Sequence, residues 1–567
     1  MRTKVLLQRL VALVILGAYS QSTFPEDQMS FSDDLKHLLH LDKDRPADAG
    51  TESPSPAANT ATAGTAGLPA QSGSPTAAPQ TSTPAAQGRV LLIHGYSANW
   101  QAFLPWKAAL SAAGIATETI SVGNYVTLNN EVTIKDLGEA FDRALRMTKF
   151  ASEIPGDAWT FDAVVHSTGM LVLRQWLTSD PYLPSDERSR IRRLKHLVGL
   201  APATFGSPQA KKGRSWLGAL VKGNHSLGPD FLNAGDMVLD GLELASKYTW
   251  DLAHKDMLGL TPLYDKGDGT PYVAVFIGNV PYSGISAVAN SPGCDGTVRW
   301  AGCALDTRKV TLDFRRHPQL DPKDPTKRVV ISDWSSDRLS APMIAVDEQN
   351  HGTIIANPKP EVVSLVHGFF GIANKDEYDE WETRALTSGA PSKAKMDTSD
   401  SVADGAGWQQ LWIHMVDDHG DGVTDYNIQL YYGDSQTESD DPEKESVKLI
   451  ADTYSSDSSY RCFYVHLTQE MLELQANKKK MWMELIASSG SELIEYEAYT
   501  GSADDPQRLA IDSQDPTVNK PVKMDITALT EGGGSLFYPY TTTLLEVFVE
   551  REPMPLGTVS NLFTFPD

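Results

Sequence analysis

The sequence predicts an α/β region built on a mostly parallel sheet with a helical cap, followed by an all-β sandwich. Three observations predict it. Near-continuous apolar runs such as "RVLLI", "FDAVV" and "YVAVFIG" alternate with helical-period segments between residues 88 and 390. That is the pattern of strands covered on both faces by helices and joined by right-handed crossovers. Between Pro202 and Pro262 no strand pattern appears, and "SWLGALVKG", "DFLNAGDMVLDGLELASKY" and "TWDLAHKDML" read as amphipathic helices, a cap over about residues 203–262. Beyond Gly407 come short alternating segments, among them "WQQLWIHMVDD", "VTDYNIQLYYGD", "RCFYVHLT" and "TTTLLEVFVERE", separated by turn residues. Those features belong to an antiparallel sandwich.

In chain order, the first element is an address. Arg2, Lys4 and Arg9 precede an apolar run of about ten residues, and Ala18-Tyr19-Ser20 offers small residues where a signal peptidase reads. Residues 1–20 are expected to be a signal peptide and the protein to be secreted or held at the cell envelope; a membrane helix would need about twenty apolar residues. Residues 21–87 read as a tether. Its Pro, Ala, Thr, Ser and Gly cannot bury enough surface to offset the entropy of ordering, although "DDLKHLLHL" could form a short helix within it. Order begins at "GRVLLIHGYS" and the α/β region is expected over 88–390, with a linker at 391–405 and the sandwich, as an accessory domain, over 406–567.

The 567 residues carry a net charge of −24, and from Pro391 onward 31 acidic residues face 12 basic ones. A chain so acidic lacks the clustered basic face that nucleic acid requires. Cys294 and Cys303 are close enough in sequence for a loop disulfide in an exported protein, Cys462 reads as a buried free thiol, and the three fit no zinc spacing.

The chemistry concentrates in a few loops. In "LIHGYS", Gly95 ends the first strand and lets the following amides turn into a cleft, which makes the Tyr96 N–H a candidate oxyanion donor. In "FDAVVHSTGM", Ser167 stands at a strand–turn–helix apex, where the Thr168 N–H would complete such a hole. Val165 occupies the position two before the serine, where a glycine is usual. A serine hydroxyl needs an adjacent base, and that base needs an orienting carboxylate. "SPGCDGTVRW" offers Asp295, with Asp333, Asp337 and Asp347 as rivals. "DEQNHGTII" offers His351, with His254, His317 and His367 as rivals, while His166 is expected to point sideways into packing.

Together "IHGYS", "VHSTGMLVLRQWL", "GLAPATFGSP", "GCDGTVRW" and "NHGTI" resemble secreted lipases and esterases of the α/β-hydrolase superfamily, over about residues 89–370. The resemblance implies Ser167 as nucleophile, Asp295 as acid, His351 as base, and Tyr96 and Thr168 as oxyanion donors. It also implies hydrolysis of carboxylic esters of lipids with no metal or organic cofactor. Other readings with the same triad are a phospholipase, an acyltransferase or an amidase. A reading of another kind is a surface adhesion protein with a degenerate hydrolase region. Contact with the envelope or a substrate surface is assigned to the C-terminal region.

Two motifs lie outside this scheme. "DDHGDGVTD" sets Asp417, His419, Asp421 and Asp425 around two glycines; an EF-hand would need an acid at Ile428, which leaves an irregular calcium site or, preferred, a solvated hairpin turn. "NHS" at Asn224 is a formal glycosylation acceptor.

Overall fold

The computed structural model describes most of residues 90–553. Its longest internal omissions are 121–131, 180–189, 212–235, 434–444 and 511–521; residues 1–89, 96–99 and 554–567 also lie outside the description. The expected signal segment, the tether, Asn224 and Tyr96 therefore fall outside the described residues.

The first sheet has six parallel strands: β1 (Val90–Ile93), β2 (Thr117–Ile120), β3 (Phe161–His166), β4 (Leu194–Leu200), β5 (Tyr272–Gly278) and, after an excursion, Met343–Val346. In space the order is Met343–Val346, β5, β4, β3, β1, β2. Both faces are covered, as the continuous apolar strands predict. Odd-numbered β1 residues Leu91 and Ile93 join one core with Val165 and Val275, whereas Val90 and Leu92 join the other with Val164 and Phe276. Helices α1 (Leu104–Ala112), α2 (Ile134–Arg146) and α3 (Gly169–Thr178) provide crossovers. A capping box fixes the start of α2: the Thr133 hydroxyl accepts from Asp136 N and Thr133 N donates to the Asp136 carboxylate at 2.8 Å.

Of the expected cap, the described helices are α4 (Asp236–Leu242) and α5 (Lys247–Asp256). A buried ion pair ties α5 to α3: Arg174 Nε donates to Asp256 Oδ2 at 2.7 Å and Nη2 to Oδ1 at 3.0 Å, with both side chains fully buried.

The expected boundary at 391–405 does not divide the molecule. Strand β6 (Thr307–Asp313) lies outside the first sheet and pairs in parallel with a strand near the far end of the chain, Thr542–Pro553, through registers from Thr307↔Thr542 to Asp313↔Phe548. With Met343–Val346 as β7, the helices α6 (Pro360–Phe369) and α7 (Lys375–Asp397) follow. Helix α7 runs through Pro391 into the segment expected to be a linker. Tyr378 and Trp381 anchor it in the core, and Gly389 lies so close to β7 that a Cβ there would come within 3.0 Å of Ile344.

The C-terminal strands are β8 (Gly405–Asp417), β9 (Tyr426–Gly433), β10 (Leu449–Thr453), β11 (Tyr460–Thr468), β12 (Lys480–Ala487), β13 (Ile494–Gly501), β14 (Val522–Asp525) and β15 (Thr542–Pro553). Strands β10, β11, β8, β15 and β13 run side by side in an eight-stranded sheet that includes β6, and a four-stranded sheet is built on β9, β12 and β14. The two sheets enclose a core that includes Leu312, Leu411, Ile413, Phe463, Leu430, Met483 and Val547, so a sandwich is present. It is mixed rather than purely antiparallel, because β15 lies parallel to both β8 and β6. Its outer face, with Trp408, Trp412, Cys462 and Tyr464, joins the core of the α/β region. Among the described residues no helix is long and apolar enough to cross a membrane.

Candidate active site

Each expected site segment follows the carboxyl end of a strand of the first sheet, where loops of an open parallel sheet form a crevice. Gly95 follows β1, Ser167 follows β3, Asp295 lies in the long loop after β5, and His351 follows β7.

Ser167 has φ 53°, a left-handed conformation uncommon for a residue with a side chain. The strain is held by packing. Its amide donates to Leu200 O at 3.4 Å and its carbonyl accepts from Ala203 N at 3.0 Å. A Cβ on Gly95 would fall 2.7 Å from Ser167 Cβ, and one on Gly169 would fall 2.8 Å from Ile93 O. These two glycines let the turn and the start of α3 close onto the end of β1. Ser167 is thus a strand-to-helix elbow as the sequence predicts. The Thr168 amide donates to none of the described residues. It stands at the positive N-terminal end of α3.

Val165 fits beneath this elbow because the small residue sits on the neighbouring strand. Val165 is in register with Gly199 of β4 and Ile93 of β1, and all three face one side of the sheet. The room left by Gly199 is taken by Met170 of α3 and by Pro202; a Cβ at Gly199 would meet Met170 Cε at 3.1 Å and Pro202 Cγ at 2.9 Å.

The structure brings Asp295 and His351 together. His351 Nδ1 donates to Asp295 Oδ2 at 2.9 Å, and the His351 amide donates to the Asp295 carbonyl at 2.9 Å. Asp295 is fully buried, and its other oxygen accepts from Thr297 N at 2.9 Å and Val298 N at 2.8 Å. The bond to Asp295 occupies Nδ1 and leaves Nε2 of His351 buried with no hydrogen-bond partner. No hydrogen bond closes between that nitrogen and Ser167.

The rivals are engaged elsewhere. Asp347 pairs with Lys395 at 2.7 Å and accepts from Asn279. His254 donates from Nδ1 to Trp250 O and contacts Lys309; His317 and His367 are exposed, and Asp333 pairs with Val310 in a short strand against β6. Asp337 lies outside the described residues.

His166 departs from its expected place in general packing. Its Nε2 donates to the His351 carbonyl at 3.0 Å, and the two rings lie 4.7 Å apart. Burial pushes the pKa of His166 well below the ordinary imidazole value, and burial also lowers that of His94. The sequence carried no pattern for this role beyond adjacency to Ser167.

The cysteines are three buried free thiols, so the loop disulfide considered for Cys294 and Cys303 is not formed. Asp417 Oδ1 accepts from the His419 and Asp421 amides and Oδ2 from Arg551 at 3.0 Å, in a tight turn closed by the Val416–Gly422 bridge. Among the described residues no group of three His, Cys, Asp or Glu side chains is gathered for a metal ion, Asp417, Asp421 and Asp425 included.

No protein-family model matches this chain, and no curated protein matches it in sequence. Solved structures do. Phospholipase PlaB from Legionella pneumophila aligns with a TM-score of 0.57 and 18% identity, covering 84% of this chain and 97% of that one. The same protein in complex with thio-NAD aligns at 0.56 and 19%, with the same coverage. The mature form of Bacillus licheniformis lipase BlEst2 covers 50% of this chain and 92% of its own at 13% identity, with a TM-score of 0.31. The fold, with its parallel sheet, serine elbow and appended β-sheets, is that of an α/β-hydrolase followed by a C-terminal β region.

Proposed function

We propose that this chain is a serine hydrolase of carboxylic esters, a lipase or esterase acting on acyl lipids, with Ser167 as nucleophile, His351 as base and Asp295 as the acid that orients it. The supporting observation is the buried Asp295–His351 pair, which leaves a partnerless Nε2 on a ring that touches the residue preceding Ser167. In the reaction the Ser167 oxygen adds to the ester carbonyl as its proton passes to His351 Nε2. The resulting oxyanion is held by the Thr168 and Tyr96 amides. Collapse expels the alcohol, which takes the proton from His351; water, deprotonated by the same nitrogen, then releases the acid and frees Ser167. Asp295 orients the ring and stabilises the imidazolium. Loss of one oxyanion donor lowers such rates by about 10²–10³. The chemistry calls for neither metal nor organic cofactor.

A fluorophosphonate probe tests the reading: it labels the wild-type protein and not Ser167→Ala, and no labelling of folded wild type rejects it. Turnover of p-nitrophenyl esters of increasing chain length then separates esterase from lipase. A phospholipase reading is favoured by one observation, the alignment with phospholipase PlaB across both the α/β and the C-terminal parts; release of fatty acid from phosphatidylcholine vesicles tests it. Export, read from the basic and apolar N-terminal run, belongs to the same proposal, and N-terminal sequencing of secreted protein checks cleavage after Ser20.

A further inference from the structure

The loop that carries Asp295 is gripped by the C-terminal sheet at both of its ends. At the first, Gly293 has φ 61°, and a Cβ there would lie 2.6 Å from Trp408 Cδ2 and 2.8 Å from Tyr464 Cε1. Backbone and aromatic faces are therefore in direct contact, with no room for any side chain. The Tyr464 hydroxyl donates to the Gly293 carbonyl at 2.7 Å, and the same carbonyl accepts from Trp300 N at 3.0 Å. At the second end, the Arg299 guanidinium lies 4.5 Å from the Tyr464 ring centroid and pairs with Asp452 of β10. A Cys294–Arg299 bridge joins the two ends into one short closed loop.

The grip is itself supported. Tyr464 stacks on Trp408 at 4.8 Å and Trp408 on His466 at 4.2 Å, a ladder on the face of β8 and β11 turned to the α/β region. Within the loop, the Asp295 carboxylate is aimed by the Thr297 and Val298 amides, whose directions follow from where Gly293 and Arg299 are held. A tenfold loss of rate needs only a small displacement of an orienting group.

We infer that Tyr464, with Trp408 behind it, is a positioning residue for the reaction: it sets the Asp295 loop, and through it His351, from a strand outside the α/β sheet. This rests on the hydrolase reading of Ser167, Asp295 and His351. Tyr464 acts through the Gly293 carbonyl and not on the reacting atoms. The C-terminal sheet is on this account part of the active-site framework rather than an appended targeting module.

The test compares Tyr464→Phe, which keeps the ring and loses the hydroxyl, with Tyr464→Leu, which loses both. Phe463→Leu is the control, since Phe463 lies on the same strand but faces the sandwich core. Loss of one buried hydrogen bond to the loop is expected to lower kcat of Tyr464→Phe roughly tenfold with KM unchanged, and Tyr464→Leu further. Phe463→Leu lowers the melting temperature and keeps kcat. Equal kcat in wild type and both Tyr464 variants overturns the inference. Backbone hydrogen exchange over residues 293–299 supplies a readout free of turnover: it accelerates in Tyr464→Phe and not in Phe463→Leu. Unchanged exchange overturns the inference even if no ester is hydrolysed, whereas absent turnover with accelerated exchange counts against the hydrolase reading alone.

Discussion

His166 donates from Nε2 to the backbone carbonyl of His351 at 3.0 Å, so the residue before Ser167 holds the backbone of the residue whose ring faces Asp295. The bond requires the proton on Nε2, and burial keeps the ring neutral by lowering its pKa. His166→Phe fills the space and removes the donor, leaving a buried carbonyl unsatisfied. We expect kcat to fall roughly tenfold with little change in KM. His166→Gln, which restores an N–H, is expected to recover part of the loss. Steady-state turnover of a p-nitrophenyl ester measures both.

The pairing of Val165 with Gly199 reverses the usual expectation for the elbow. Val165→Gly, which restores the more familiar residue, removes a fully buried side chain and is expected to destabilise by about 2–4 kcal/mol. Gly199→Ala pushes a Cβ against Pro202 and Met170 and is expected to cost about 1–3 kcal/mol. Urea unfolding of the two variants, read at constant slope, checks both values.

Arg174 and Asp256 are fully buried and paired in two hydrogen bonds, and Tyr264 also donates to Asp256 at 2.8 Å. Asp256→Ala strands the guanidinium in the core between the elbow helix and α5. A loss of about 3–5 kcal/mol is expected from an uncompensated buried charge. A melting curve that matches wild type would reject this.

His414 predicts an acid dependence of stability. Burial pushes its pKa down from 6.5 to about 4, against a partial pull upward from Glu546. Its ring stacks on Tyr460 at 3.9 Å and lies edge-on to Trp250. The unfolded chain binds this proton first as pH falls, so the contribution is complete above about pH 6.5 and is lost between there and about pH 4. It amounts to about 3 kcal/mol at most. His414→Phe is expected to flatten the fall of the urea midpoint between pH 7 and pH 4.5.

How much of the structure is legible in the sequence depends on where each residue finds its partners. Strands β1, β3 and β5 are legible because each carries its own apolar run, and so is the placement of Ser167, Asp295 and His351 in glycine-marked loops that follow such strands. Strand β6, "TRKVTLD", is not. Its Arg308 and Lys309 look like surface residues, yet Arg308 stacks on Tyr538 and Lys309 pairs with Glu546 at 2.6 Å, partners more than two hundred residues away. Helix α7 runs through Pro391 into the segment expected to be a linker because the packing of Tyr378, Trp381 and Gly389 that holds it leaves no local sequence signal. His166 and Tyr464 share that limit, since a hydrogen bond to a distant carbonyl leaves no periodicity.

The placement of β15 between β8 and β6 has a consequence for synthesis. The strand that completes the middle of the large sheet ends at Pro553, so a growing chain makes residues 307–313 and 405–417 long before their shared neighbour exists. Pairings that join such distant residues are slow and leave sticky strand edges exposed while they wait. Nascent β6 and β8 therefore wait with open edges until Thr542–Pro553 is made, and a chain truncated before Thr542 lacks the strand that joins them.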